Sequence, residues 1–187
     1  MRSALLVLDF INDIAHAKGK IARSAERIAA HRVIENANQV IAHARAQHWP
    51  IYFVKVGFHP GYIDCPKHSP MFSPAAQHGA LLLGSWGTQF HEKLAFQEND
   101  PVVVKHRVSA FYATSLEALL GAQEIEQIVL TGTATNMAVE HTGRDAHDRD
   151  YSVVVIRDAC EAATEEAHKA ALESLGRFAQ VITSGEL

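Results

Sequence analysis

Short apolar runs alternate along the chain with longer stretches in which apolar residues recur at helical spacing. The runs are rich in β-branched residues and are mostly continuous, which is typical of strands buried on both faces of a parallel sheet. Six runs therefore predict strands, at residues 4–8, 51–56, 102–104, 128–130, 153–156 and 181–182.

The stretches between these runs predict four helices, at residues 27–47, 114–122, 136–149 and 164–178. The last helix has a clear start, because Thr164 can cap its first turn and the two acids that follow suit the positive end of the helix dipole. Thr114 and Ser115, with Glu117 in the next turn, predict a similar start for the second helix.

Strands that alternate with helices predict right-handed βαβ crossovers and a three-layer α/β/α sandwich with a parallel, Rossmann-like sheet of six strands. No linker or shift in composition divides the chain, so we expect a single domain over residues 1–187. Residues 57–87 stand apart because they hold four of the six prolines and show little periodicity. They predict a functional loop or lid, and a solvated surface excursion is the alternative.

The composition is that of an ordinary soluble protein, with 48% hydrophobic and 20% charged residues. A net charge of −4 predicts no nucleic-acid partner, and no apolar run approaches the roughly 20 residues that span a membrane. Asp9 interrupts the apolar N-terminus, which argues against a secretory signal. Two cysteines, Cys65 and Cys160, are too few for a disulfide framework, so we expect a reduced, cytoplasmic protein.

Candidate chemistry lies where the predicted strands end, because ligands of open α/β sheets bind beyond the carboxyl ends of the strands. Asp9 follows the first strand, Lys105 follows the third, and residues 131–136 lead from the fourth strand into a helix. A carboxylate beside an ammonium group can be tuned for proton transfer, and N–H groups at a helix start can hold an oxyanion. The alternative is that Asp9 and Lys105 form a purely structural ion pair.

Three segments carry a family resemblance: residues 6–13 (LVLDFIND), 104–114 (VKHRVSAFYAT) and 131–140 (TGTATNMAVE), continued by 142–146 (TGRDA). Together and in this order they resemble the isochorismatase-like, or cysteine hydrolase, family. The resemblance implies that Asp9 acts as acid or base and that Lys105 tunes it or holds negative charge. It also implies a sheet order of 3-2-1-4-5-6, a cis peptide bond between Thr133 and Ala134, and an oxyanion site at the backbone of Ala134 and Ala138.

The nucleophilic cysteine of that family falls on Ala138, and a methyl group cannot attack a carbonyl carbon. Three interpretations stay open. In the first, water is the nucleophile on an amide C–N or vinyl-ether bond. In the second, the chain is an inactive homologue that binds a small molecule, and in the third it is a Cys→Ala variant of a cysteine amidase. Neither Cys160 nor Cys65 is an obvious substitute. We predict a hydrolase of a small organic molecule that needs no cofactor.

Four more residues are candidates for the wall of the substrate pocket: Trp86, Phe111, Tyr112 and Asn136. Each of the three aromatic residues could instead belong to the core. Proteins that share this resemblance often associate, so we also expect a homo-oligomer.

Three histidines share the long loop and could converge on a metal: His59, His68 and His78. The nicotinamidase branch of the family has an Asp-x-His sequence after its second strand. Gly57 occupies the place of that aspartate, so we predict no metal site.

Overall fold

A single six-stranded sheet, with every strand parallel, forms the centre of the computed structural model, which describes residues 1–187. The sheet order is β3-β2-β1-β4-β5-β6, which confirms the order implied by the resemblance. The strands are β1 (Ser3–Leu8), β2 (Ile51–Val56), β3 (Val102–Lys105), β4 (Gln127–Thr133), β5 (Ser152–Glu161) and β6 (Gln180–Ile182).

Helices cover both faces of the sheet and produce the predicted three-layer sandwich. Along β1, Val7 packs in one core cluster with Ile41, whereas Leu6 packs in a second cluster with Leu120 and Leu175. The helices are α1 (Asn12–Ala15), α2 (Ala25–Ala30), α3 (Val33–Ala46), α4 (Ser73–His78), α5 (Leu116–Ala122), α6 (Glu140–His147) and α7 (Glu165–Leu175). None of these helices is long and apolar enough to cross a membrane.

The single helix predicted over residues 27–47 is wrong, because the structure has two helices there. Arg32 separates α2 from α3 with a φ of 55°, in the left-handed region that a continuous helix excludes. Thr164 does cap α7, since its side chain accepts a hydrogen bond from Ala167 N. The start of α5 differs from the prediction, because Ser115 makes no side-chain cap and the hydroxyl of Thr114 accepts from Leu116 N.

Strands β4 and β5 are longer than predicted, and both extend toward the carboxyl edge of the sheet. Strand β4 ends at Thr133, so residues expected to follow the strand belong to it. Gly132 has a φ of 144°, and a Cβ atom at this position would lie 2.4 Å from Leu8 O. Glycine therefore allows β4 to lie close to β1 just before the sheet ends.

The long loop at residues 57–87 is anchored to the rest of the domain, although many of its residues, such as Ile63, His68 and Met71, are exposed. It contains α4 and forms a third core cluster that includes Phe58 and Phe72. The buried carboxylate of Asp13 accepts a hydrogen bond from Leu81 N at 2.7 Å, which ties the loop to α1. Whether this segment acts as a lid stays a prediction.

Candidate active site

Asp9 and Lys105 meet at the carboxyl edge of the sheet. Asp9 directly follows β1 and Lys105 is the last residue of β3, with β2 between the two strands. The distance from Lys105 Nζ to Asp9 Oδ2 is 2.8 Å, and the two side chains are only 2% and 3% exposed. The expectation that these residues form a contact is confirmed, whereas their catalytic role stays a prediction.

Backbone groups hold both charged side chains in place. Asp9 Oδ1 accepts a hydrogen bond from Val56 N at 2.8 Å. Lys105 Nζ donates to Val108 O at 2.9 Å and to Arg107 O at 3.2 Å, so the ammonium has three oxygen partners. This is the number of protons that an ammonium group can donate.

The environment of Asp9 favours proton binding. Burial raises the pKa of this carboxyl group, and the charge of Lys105 and the hydrogen bond from Val56 N oppose that effect without cancelling it. A carboxyl group whose pKa is raised keeps its proton to a higher pH than an ordinary surface aspartate does. The pair can therefore act as an acid or base that is shielded from bulk water.

The turn after β4 lies beside Asp9. Leu8, the last residue of β1, pairs in register with Gly132, so Asp9 and Thr133 each directly follow a residue of this pair at the sheet edge. The peptide bond between Thr133 and Ala134 is cis, as predicted. A single π-helical turn follows at Thr135–Val139, named the elbow turn below, and it leads directly into α6. Such turns occur frequently at functional sites.

Ala138 lies within the elbow turn and is 4% exposed. It belongs to the core cluster that also contains Phe111. The side chain of Asn136, in the same turn, is half-buried. These positions are compatible with the predicted roles of Ala138 and Asn136, and the roles themselves stay predictions.

The three aromatic candidates have separate environments. Phe111 is buried, stacks on Tyr151 with ring centroids 6.1 Å apart, and lies 4.7 Å below the guanidinium of Arg149, which is the environment of a core residue. Tyr112 is 61% exposed. Trp86 is half-exposed and packs edge-on against His16 after α1. Core packing therefore accounts for Phe111, and a substrate contact of Tyr112 or Trp86 stays a prediction.

The histidines of the long loop do not gather as a group. His59 instead contacts Asp64, with 2.7 Å between Nδ1 and Oδ2, and His106 Nδ1 lies 3.2 Å from the same oxygen. His106 Nδ1 also donates to Gly57 O at 2.6 Å. The ring nitrogens that face this cluster are thus engaged in hydrogen bonds that fasten the loop to the end of β3. His68 and His78 are not members of the cluster.

A second polar cluster, which the sequence did not reveal, surrounds Glu161 at the end of β5. The carboxylate is 2% exposed and contacts Arg27 Nε at 3.2 Å and His31 Nδ1 at 2.5 Å. It borders a cleft of about 500 Å³ that His168 also lines. The strand-end rule would have found Glu161 if β5 had been predicted to reach residue 161 rather than 156.

The α/β sandwich holds the buried Asp9–Lys105 ion pair at the carboxyl edge of its parallel sheet. The isochorismatase domain model matches residues 3–186. The chain therefore belongs to the isochorismatase family of hydrolases.

Relatives extend over nearly the whole chain. A ureidoacrylate amidohydrolase of Klebsiella pneumoniae is 33% identical over an alignment of 191 positions, gaps included. The match covers 95% of this chain and 81% of the relative. The structure of an isochorismatase family protein from Burkholderia thailandensis is 31% identical, with a TM-score of 0.81 and coverage of 99% and 93%. N-carbamoylsarcosine amidase from Thermoplasma acidophilum is 27% identical, with a TM-score of 0.78 and coverage of 100% and 99%.

Proposed function

We propose that the protein hydrolyses a C–N bond of a small organic amide, with Asp9 and Lys105 as the acid–base pair and water as the nucleophile. The observation that carries this proposal is the buried contact of 2.8 Å between the two side chains. Two relatives are named as an amidohydrolase and an amidase, which favours an amide over the vinyl ether that is the other candidate bond. Water takes the nucleophilic role because residue 138 is alanine.

In this scheme Asp9 accepts a proton from water while the water oxygen bonds to the carbonyl carbon. The proton then passes to the leaving nitrogen as the C–N bond breaks, and the products are a carboxylic acid and an amine or ammonia. Lys105 favours the ionised form of Asp9, because its positive charge opposes in part the effect of burial on the pKa of that carboxyl group. Backbone N–H groups at Ala134 and Ala138 would stabilise the oxyanion. The scheme uses no metal or cofactor.

A second candidate function is the binding of a small molecule without turnover. Ala138 favours it, because the side chain that replaces the expected nucleophile has no reactive atom. A Cys→Ala variant of a cysteine amidase would have the same property. Both functions would use the same residues at the sheet edge, and they differ only in whether Asp9 transfers a proton.

A panel of small ureides and carboxamides, assayed for released ammonia or amine, tests the proposal. Asp9→Asn should reduce turnover at least about 100-fold, because it removes the base. Asp158→Asn is the matched control, since this half-buried carboxylate on β5 bonds to Ser184 instead. Saturable binding without turnover, unchanged in Asp9→Asn, would exclude hydrolysis of that ligand and favour the binding function.

A further inference from the structure

The hydroxyl of Thr135 is the one side-chain group of the elbow turn that hydrogen bonds to another helix. Thr135 Oγ1 lies 2.8 Å from His168 Nδ1 on α7, and Thr135 is completely buried. A buried hydroxyl that lost this partner would remain without a hydrogen bond, which costs more than the bond itself contributes. The contact therefore restrains the first residue of the turn that carries Ala138.

Glu161 lies near His168 but does not hydrogen bond to it. The distance from His168 Nδ1 to Glu161 Oε1 is 3.9 Å, which is too long for a hydrogen bond, and burial lowers the pKa of His168, which disfavours the charged imidazolium. The ring nitrogen is thus left to Thr135. Glu161 is fixed by the contacts with Arg27 and His31 and by a hydrogen bond of 2.9 Å from Ala162 N.

Helix α7 makes a second polar contact nearby, which involves no residue of the elbow turn. Ser174 Oγ donates to Glu140 Oε1 at 2.8 Å, and Glu140 is the first residue of α6. His168 and Ser174 therefore lie on the same helix, six residues apart, and each contacts a neighbouring segment. His168 bonds to the elbow turn, whereas Ser174 bonds to α6, the helix that follows the turn.

We propose that His168 is a positioning residue for the active site, which holds the elbow turn through Thr135 so that the backbone at Ala138 keeps its orientation. The inference rests on the proposed function in assigning the turn to the active site. Its test needs no substrate, because the mobility of the turn is measured directly.

Amide hydrogen exchange at residues 136–139, followed by NMR, provides that test. His168→Ala and Thr135→Val should each raise exchange in the turn by about fivefold to tenfold, the effect of losing one hydrogen bond. The double variant should exchange no faster than either single variant, because both remove the same contact. His168→Asn should restore protection, since its amide can occupy the place of Nδ1. Ser174→Ala is the matched control and should leave exchange in the turn unchanged.

Unchanged exchange in Thr135→Val, a substitution that preserves the shape of the side chain, would overturn the proposal even if His168→Ala failed to fold. Equal acceleration in Ser174→Ala would also overturn it, because α7 would then act only through general packing. A protein that lacks hydrolase activity but shows the expected exchange pattern would contradict the proposed function and leave the positioning role intact.

Discussion

Glu161 pairs in register with Thr133 across β5 and β4, which places a buried carboxylate on the strand that neighbours β4, at the level of a residue two positions before the elbow turn. Burial acts to raise the pKa of Glu161, but the hydrogen bond from Ala162 N and the contact with His31 outweigh it, so the pKa lies below the ordinary 4.5. The native state therefore binds this proton less tightly than the unfolded chain, and ionised Glu161 stabilises the fold.

We expect this contribution to be present above pH 4.5 and to be lost as the pH falls through the lower pKa of the folded state. Glu161→Gln should lower the free energy of unfolding at pH 7 by about 1 to 3 kcal/mol. The same substitution should also make the free energy of unfolding fall less steeply as the pH is lowered below 4.5. Urea titrations between pH 3 and 7 measure both effects, and parallel acid limbs in the two proteins would contradict the assignment.

Ala138→Cys should create a reactive thiol if the pocket is suited to covalent catalysis. The sulfur would lie in the turn that opens α6, where the helix dipole lowers a thiol pKa below about 8.5. The native thiols supply internal references: burial raises the pKa of Cys160 to about 12 and also raises that of Cys65.

Iodoacetamide labelling at pH 7, followed by mass spectrometry, should therefore modify residue 138 before either native cysteine. Gain of amidase activity in the same variant would favour descent from a cysteine amidase. A new thiol that reacts no faster than a free model thiol would instead favour hydrolysis by water or simple binding.

Gly132→Ala should destabilise the protein by about 2 to 4 kcal/mol, because the added Cβ would meet Leu8 O at 2.4 Å in a conformation unsuited to alanine. Gly121→Ala is the matched control. It lies in α5 with no atom within 4 Å of the added Cβ, and it should stabilise the protein by about 0.5 to 1 kcal/mol. Chemical denaturation compares the two, and equal effects would show that the close approach of β4 to β1 is not maintained in solution.

The protein should form a homo-oligomer. This expectation comes from the resemblance to a family whose members often associate. Light scattering at micromolar concentration checks it, and a single species of 20.5 kDa would show that the prediction is wrong.

The sequence was most informative where burial is uniform. All six residues of β1 are buried and the last five are apolar, so this run with an acid directly after it allowed both the strand and Asp9 to be predicted. The end of β5 could not be predicted, because exposed Arg157 and half-buried Asp158 interrupt its apolar pattern before Glu161. The break at Arg32 was equally hidden, since a left-handed φ in a non-glycine residue has no signature in hydrophobic spacing.

The carbonyl groups that surround the Lys105 ammonium come from Arg107 and Val108, only two and three residues further along the chain. The backbone directly after β3 thus curves around the ammonium group of the last residue of that strand. Lys105→Arg would preserve the charge but not this wrapping, because a planar guanidinium cannot direct its N–H groups in the same three directions. A movement of the ammonium away from Asp9 would also leave these two carbonyl groups without their partner, so the position of the cation and the conformation of the loop stabilise each other.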